Sequence, residues 1–291
     1  MRIAILSRNP RLYSTSRLCE AARARGHEVD VLDPIACVLV VSRGTHRMFQ
    51  GKTEISGYDV VLPRIGASIT DYGVAVLTHF ERAGVPSVNG AAAILASRDK
   101  LRALQRLSEN NVGIPRTALA RDPKNIRGAI EAVGGTPVII KLLQGTQGVG
   151  VMIADTPLAV ESTLDTLFRL GQNIILQEFI AESRGQDIRA LVVGGKLVAA
   201  MKRLARADEF RANLHRGGAS EPVSLSPEFE RAAIDAARVI GLDVAGVDLL
   251  PSKEGPRVIE VNSSPGLRGI ERASQLDLAS LIVSHAEKIA G

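Results

Sequence analysis

Residues Arg2–Leu6 (RIAIL) open the chain with a short apolar run that predicts a buried strand. A helical segment over Ser16–Arg25 follows and stops at Gly26–His27. Glu28–Leu32 predicts a second strand, closed by Asp33–Pro34, and Val60–Leu62 a third. A helix over Val74–Arg82 ends before Gly84, and Val85–Val88 predicts one more short strand. Strands alternating with helices through this first stretch predict a parallel, doubly wound sheet. The turn after the first strand reads Ser7-Arg8-Asn9-Pro10. It lacks the G-x-G-x-x-G fingerprint, which excludes a dinucleotide-binding Rossmann unit.

Downstream, Leu101, Leu104 and Leu107 mark the inner face of a helix near Ser97–Asn110, broken by the Asn110–Pro115 stretch. Pro137–Leu143 (PVIIKLL) predicts a strand, Gln144–Gly150 (QGTQGVG) a glycine loop, and Val151–Ala154 the returning strand. A helix near Ala159–Leu170 leads into a strand over Ile174–Ile180. Ile188–Val193 and Lys196–Met201 flank Gly194–Gly195, a two-residue hairpin signal. The next helix starts with Ser226 as cap and Pro227 in its first turn. Phe229, Ala232, Ala233, Ala236, Ala237 and Ile240 give it one apolar stripe. Val244–Leu250 and Arg257–Val261 predict two strands of a hairpin turning through Pro251–Pro256. Internal repeats and low-complexity tracts are absent.

A chain of 291 residues is long enough for two or three compact units, and 45% hydrophobic with 23% charged residues is an ordinary globular composition. With 3% aromatic residues and no Trp, the chain lacks base-stacking platforms for single-stranded nucleic acid. A net charge of +5 suits acidic partners, among them RNA, an acidic peptide or a nucleotide, or simply a solvated basic surface. Cys19 and Cys37 are too few for a disulfide framework or a four-ligand zinc site. No apolar stretch approaches the ~20 residues that span a bilayer, so a soluble, cytoplasmic protein is expected.

The candidate chemistry gathers late in the sequence. In Glu260-Val261-Asn262 the strand period places both polar side chains on one face, with Val261 turned into a core. Asp248 lies on the partner strand, which is otherwise apolar. Three oxygen donors on apolar strands are costly unless partnered, and a hard cation such as Mg²⁺ would partner them; hydrogen bonds to loops are the alternative. Lys141 sits inside an apolar strand just before the glycine loop, where a phosphate would satisfy its ammonium. No Lys-Ser or Lys-Thr follows the loop, so it is not a Walker A motif. Arg203, Arg206, Arg211, His215 and Arg216 concentrate positive charge that suits phosphates or carboxylates, or a solvated loop. No Ser–His–Asp, Cys–His or H-E-x-x-H arrangement is identifiable, so hydrolase chemistry has no support.

With Lys141, the glycine loop, Gln177–Ile180 (QEFI) and Asp248…Glu260-Val261-Asn262 in this order, the chain resembles the ATP-grasp superfamily. It is most similar to the RimK-like branch, ligases that modify the sixth protein of the small ribosomal subunit. The resemblance is carried by Met1–Arg8 (MRIAILSR), Pro63–Gly66 (PRIG), Arg98–Arg102 (RDKLR) and Gly145–Gly150 (GTQGVG). Asn213–Gly218 (NLHRGG), Asp243–Asp248 (DVAGVD) and Glu260–Leu267 (EVNSSPGL) extend it over nearly the whole chain. It implies an N-terminal doubly wound domain (residues 1–96), a central ATP-grasp subdomain (97–180) and a C-terminal one (181–291), an α/β unit followed by an α+β pair.

The same resemblance implies that Lys100 and Lys141 contact ATP phosphates beneath a lid of Gln144, Gly145, Thr146, Gln147 and Gly148. Gln177, Glu178, Phe179 and Ile180 would form the adenine-contacting hinge, with Asp187 near the ribose. Arg211, Ala212 and Asn213 would line the phosphates, and Asp248, Glu260 and Asn262 would hold one or two Mg²⁺ or Mn²⁺ ions. Arg203 and Arg211 are the candidates for stabilising an acyl phosphate or oxyanion. The implied reaction adds L-glutamate to the C-terminal carboxylate of an acidic tail on a small-subunit ribosomal protein. The implied assembly is a homo-oligomer, a tetramer, with no need for direct nucleic-acid contact. The alternatives are a related ligase acting on a carrier protein or glutamyl cofactor, and a non-enzymatic ribosome- or nucleic-acid-binding module. Asp248→Asn or Glu260→Gln is expected to abolish turnover with the fold intact. Val at Gly148 or Gly150 is expected to impair lid closure at nearly constant stability.

Overall fold

The computed structural model describes residues 1–143, 150–205 and 218–291. Among these residues the strands form four sheets. The first elements are β1 (Arg2–Leu6), α1 (Tyr13–Ala24) and β2 (Glu28–Leu32). There follow β3 (Cys37–Ser42), β4 (Thr45–Gln50), β5 (Thr53–Glu54), β6 (Val60–Pro63) and α2 (Thr70–Arg82). β2, β1 and β6 form a parallel sheet in that order. Its strand period sorts the core: Ile3, Ile5, Val60 and Leu62 face α1, while Ala4, Leu6 and Val61 face Val74, Leu77 and Phe80 of α2. The sheet is therefore covered on both faces, as the alternating pattern predicts. The expected strand at Val85–Val88 shrinks to a single parallel bridge between Ser87 and Val61. β3, β4 and β5 form an antiparallel meander where the sequence pattern predicts no element.

The single helix expected over Ser97–Asn110 is two, α3 (Ala91–Arg98) and α4 (Lys100–Glu109). Asp99 separates them with an extended backbone (φ −84°, ψ 95°) and caps α4 by accepting a hydrogen bond from the Arg102 N–H at 3.0 Å. The break sends the neighbouring side chains apart. Arg98 donates to the Ile65 carbonyl at 2.7 Å, and Lys100 Nζ to the Leu142 carbonyl at 3.0 Å. Next come β7 (Thr117–Ala118), α5 (Ile126–Ala132), β8 (Val138–Leu142), β9 (Val151–Ala154), α6 (Pro157–Arg169) and β10 (Ile174–Glu178). Their sheet is antiparallel in the order β7-β10-β8-β9. Val138, Ile140, Ile174 and Leu176 bury one face beneath α5 and α6.

The largest sheet is built from β11 (Gln186–Val193), β12 (Lys196–Leu204), β13 (Ala219–Pro222), β14 (Val244–Ser252) and β15 (Gly255–Asn262), with α7 (Pro227–Ile240) between β13 and β14. It is antiparallel in the order β13-β12-β11-β14-β15. Gly194 and Gly195 join β11 to β12 with φ of 57° and 73°, the geometry of a primed hairpin turn. The stripe Ala233, Ala236, Ala237 and Ile240 packs α7 on Ile188, Ala190, Val247 and Leu249. Ser226 precedes α7 without a side-chain capping bond, contrary to expectation. The β14–β15 hairpin is tighter than predicted: Ser252 pairs with Gly255, and Pro251 and Pro256 lie within the strands. The chain finishes with α8 (Arg268–Ser274) and α9 (Leu278–Ala290), which the sequence pattern did not yield. Leu278, Ile282 and Val283 of α9 share one core with β1, α1 and the Leu191–Met201 side of the large sheet. The N-terminal sheet and the C-terminal sheet are thus fused through apolar contact.

Candidate active site

Along β11, Ile188, Ala190 and Val192 enter the α7 core, so Asp187 and Arg189 take the opposite face. Register carries that face across the sheet. Asp187 stands opposite Arg203, Arg189 opposite Asp248, and Asp248 opposite Glu260. Asn262 shares the face of Glu260, and Val261 between them is buried in the α7 core. Arg203 forks onto Asp187 through Nε and Nη2 at 2.5 and 2.7 Å, and its Nη2 lies 3.0 Å from Asp248 Oδ2. Arg189 makes a second fork, onto both oxygens of Asp248 at 2.7 and 2.6 Å.

Asp187, Arg203 and Asp248 are all buried, and the charges survive by pairing. Burial opposes the Asp248 carboxylate, but Arg189 and Arg203 hold its pKa below the usual range. Burial likewise opposes the Arg203 charge, yet Asp248 and Asp187 raise its pKa further. Asp187 moves the other way: burial raises its pKa, aided by the neighbouring Asp248 carboxylate.

The opposing wall comes from β8. Val138 and Ile140 point into the core under α5 and α6, leaving Lys141 on the other side. Its Nζ donates to Gln177 Oε1 at 2.5 Å, and Gln177 Nε2 donates to Thr117 Oγ1 at 2.9 Å. Burial pushes the Lys141 ammonium down to about 8; Glu260, Asp248 and Asp187 counter that shift and Lys100 adds to it. The influence of Glu260, Asp248 and Asp187 on Lys141 shows the lysine-bearing face of β8 turned toward the carboxylate-bearing face of the large sheet. Burial also lowers the pKa of Lys100, which Glu260 partly restores. Two desolvated ammoniums favour an incoming polyanion, which would supply the opposite charge their burial demands.

Among the described residues no group of three His, Cys, Asp or Glu side chains is placed to hold a metal ion. Asp248, Glu260 and Asn262 offer instead two carboxylates and one amide, all hard oxygen donors suited to Mg²⁺ or Mn²⁺. Asn262 donates its Nδ2 to the Gly246 carbonyl at 3.4 Å, which assigns Oδ1 as the remaining acceptor. Glu260 is exposed and makes no hydrogen bond or ion pair with a described residue. The donor set fits a divalent cation, with Asp248 shared between the ion and its arginines.

The structure thus brings together Lys100, Lys141, Gln177, Asp187, Arg203, Asp248, Glu260 and Asn262. Glu178, Phe179 and Ile180 lie at and just beyond the end of β10. The Glu178 carboxylate is taken by Arg116 at 2.8 Å, and that contact holds its pKa down. Gln144, Gly145, Thr146, Gln147 and Gly148 lie outside the described residues, as do Arg206, Arg211, Ala212, Asn213, His215 and Arg216. Arg189 was missed by sequence reasoning. Its signal was the strand period, which puts it two residues from Asp187 on the same face. Arg203, a candidate for stabilising the acyl phosphate or oxyanion, engages Asp187 and Asp248 through Nε and Nη2.

The RimK-like ATP-grasp domain matches residues 97–286, and the RimK PreATP-grasp domain matches residues 1–94. The chain belongs to the RimK-like ATP-grasp family. Its curated relatives include the probable alpha-L-glutamate ligase of Thioalkalivibrio sulfidiphilus, 54% identical over 99% of this chain and 96% of that protein. The probable alpha-L-glutamate ligase of Vibrio vulnificus is 53% identical with the same coverage. Among solved structures, the RimK domain ATP-grasp protein of Sphaerobacter thermophilus superposes with a TM-score of 0.75 at 23% identity, covering 98% of this chain and 99% of that one. The ATP-grasp ligase PsnB, complexed with a phosphomimetic variant of its minimal precursor, Mg and ADP, gives a TM-score of 0.78 at 21% identity. That match covers 100% of this chain and 98% of PsnB. As a member of the RimK-like ATP-grasp family, this protein is a ligase of the ATP-grasp type, and the expected fold is borne out.

Proposed function

We propose that this protein is an ATP- and Mg²⁺-dependent ligase that adds L-glutamate to the terminal carboxylate of an acidic peptide tail. The observation that carries this reading is the gathering of Lys141 with the Asp187–Arg203–Asp248–Glu260 face. In this reading Lys141 and Lys100 receive the ATP phosphates, and the peptide groups of Glu178 to Ile180 meet adenine. Asp187 orients the ribose side, and Asp248, Glu260 and Asn262 hold the metal. A bound divalent ion would supply Lewis-acid neutralisation of phosphate charge. An acceptor carboxylate oxygen attacks the γ-phosphorus and ADP leaves. The glutamate amine then attacks the acyl carbon, and phosphate departs with that acceptor oxygen while the amine proton passes to solvent. Arg203 acts by fixing Asp187 and Asp248, and Arg211 remains the candidate for the oxyanion.

Peptide acceptors gain support from the relatives. Their names specify glutamate, and PsnB is described in complex with a precursor peptide and AMPPNP. The sequence's net charge of +5 suits an acidic tail. A small-subunit ribosomal protein is the acceptor proposed, and a homotetramer the assembly. The chain is divided in function at residues 1–96, 97–180 and 181–291. No helix among the described residues is long and apolar enough to cross a membrane, which suits the proposed cytoplasmic setting. Incubation with ATP, Mg²⁺, L-glutamate and a peptide ending in glutamate should yield products spaced by one glutamyl unit in mass spectrometry. A C-terminally amidated peptide should yield none. Incorporation of another amino acid with refusal of glutamate would contradict the glutamate assignment.

A further inference from the structure

A second group of cations lies where the N-terminal sheet meets the loop after β15. Arg64 follows the carboxyl end of β6, the end at which parallel sheets receive ligands. Its Nη2 donates to the carbonyls of Pro265 at 2.7 Å and Ser264 at 3.5 Å. Arg98 is bonded through Nη2 to the Ile65 carbonyl, next to Arg64. Neither guanidinium is paired with a carboxylate among the described residues. Burial and the proximity of Arg98 pull the Arg64 pKa down to about 10, and burial also lowers that of Arg98. Three donors here are buried with no partner among the described residues: Arg98 Nε, Ser263 Oγ and Ser264 Oγ. The loop that carries both serines is held firmly. Buried Asn89 donates to the Ser263 carbonyl at 2.9 Å, and the Leu267 N–H donates to Ser14 Oγ at 2.9 Å. Two adjacent cations and three unsatisfied donors on a fixed scaffold are costly unless an anion completes them.

Lys100 from α4 and Lys141 from β8 already face the metal-side carboxylates, so in the proposed reading phosphate has a site of its own. The other reactants of a carboxylate–amine ligase are an amino acid and a peptide, each carrying carboxylates. We propose that Arg64, Arg98, Ser263 and Ser264 form a binding site for a carboxylate of the amino-acid or peptide substrate, an inference that rests on the ligase reading above. Arg98 ends α3 two residues before Lys100 opens the contact of α4 with β8, and Ser263 and Ser264 directly follow Asn262, so a carboxylate held here lies near the proposed metal and phosphate groups. Guanidinium and hydroxyl donors suit the planar, two-oxygen geometry of that ligand.

The test is calorimetric titration of the full chain, loaded with ADP and Mg²⁺, with L-glutamate and separately with a peptide ending in glutamate. Arg98→Gln should weaken one of these ligands about tenfold or more, and Ser264→Ala should weaken the same ligand less. ADP affinity should be unchanged in both. Arg98→Lys, which keeps the charge but loses the fork, should fall between wild type and Arg98→Gln and serves if the Gln variant does not fold. Loss confined to L-glutamate places the free amino acid here; loss confined to the peptide places the acceptor tail. Equal carboxylate affinity in wild type and variants, no carboxylate binding to wild type, or loss of ADP affinity instead would each overturn the site. If wild type refuses glutamate but binds another amino acid with the same Arg98 dependence, the site stands and the glutamate reading fails.

Discussion

Asp248 is buried between two guanidiniums, whereas Glu260, directly opposite across the strand pair, is exposed and free of any described hydrogen bond. Substitutions at the two positions should therefore separate chemistry from stability. Glu260→Gln removes a proposed metal ligand but no ion pair among the described residues. Its melting temperature should match wild type while turnover falls at least about a hundredfold, since even groups standing behind metal ligands cost up to that much. Asp248→Asn takes the carboxylate from Arg189 and one of two carboxylates from Arg203 in a buried setting. It should lose turnover and also about 3 kcal/mol of stability in denaturant titration, the scale of breaking a buried pair. The sequence treats the two positions alike, whereas the structure sets Asp248 in ion pairs and Glu260 in none among the described residues. Equal melting temperatures for the two variants would show that the arginine forks contribute nothing to stability.

The hairpin of β8 and β9 closes at Gly150, whose φ is 78°, and a Cβ there would stand 2.6 Å from Leu142 Cδ1. Gly150→Ala should therefore cost stability, about 1–3 kcal/mol of strain by thermal or chemical melting, before any effect on closure. The sequence view of this glycine as a pure lid residue missed the clash, because it depends on where Leu142 points. Other elements show the same boundary between legible and hidden. The parallel sheet was readable because Ile3, Ile5, Ala4 and Leu6 serve both faces of one continuous apolar run. The β3 strand was not, because Val38, Val40 and Val41 are exposed at 54%, 41% and 68% and mark no core. Leu101, Leu104 and Leu107 concealed the break at Asp99, a capping residue whose extended backbone interrupts the period. Within the site, Asp248, Glu260 and Asn262 were legible from the period of two. The pairing of Arg189 and Arg203 with acids was not, because it arises from strand register between residues up to 59 positions apart.

The ends of the chain are tied together by α1 and α9, where Glu287 accepts hydrogen bonds from Arg25 and His27 at 2.6–2.7 Å. Arg25 first, then His27, holds the Glu287 pKa at about 2, below its ordinary 4.5. A depressed carboxyl contributes stability that is fully present above the unfolded value and lost as pH falls through the folded one. Glu287→Gln should therefore lower the melting temperature at neutral pH. The difference from wild type should shrink as pH falls from about 4.5 to about 2. A difference that persists unchanged at the acidic end would assign the effect to packing. This tie matters for function because the same apolar core joins the N-terminal sheet, α9 and the large sheet. The scaffold that carries Arg64 is thereby fixed against the sheet that carries Asp248 and Glu260. In the proposed reaction these residues activate a carboxylate by joining it to the γ-phosphoryl group of ATP. The direct measurement uses a glutamate-terminated peptide whose terminal carboxylate is labelled with ¹⁸O, incubated with ATP, Mg²⁺ and L-glutamate. Mass analysis of the released phosphate should find one labelled oxygen per amide formed, whereas amide formation with unlabelled phosphate would contradict the account.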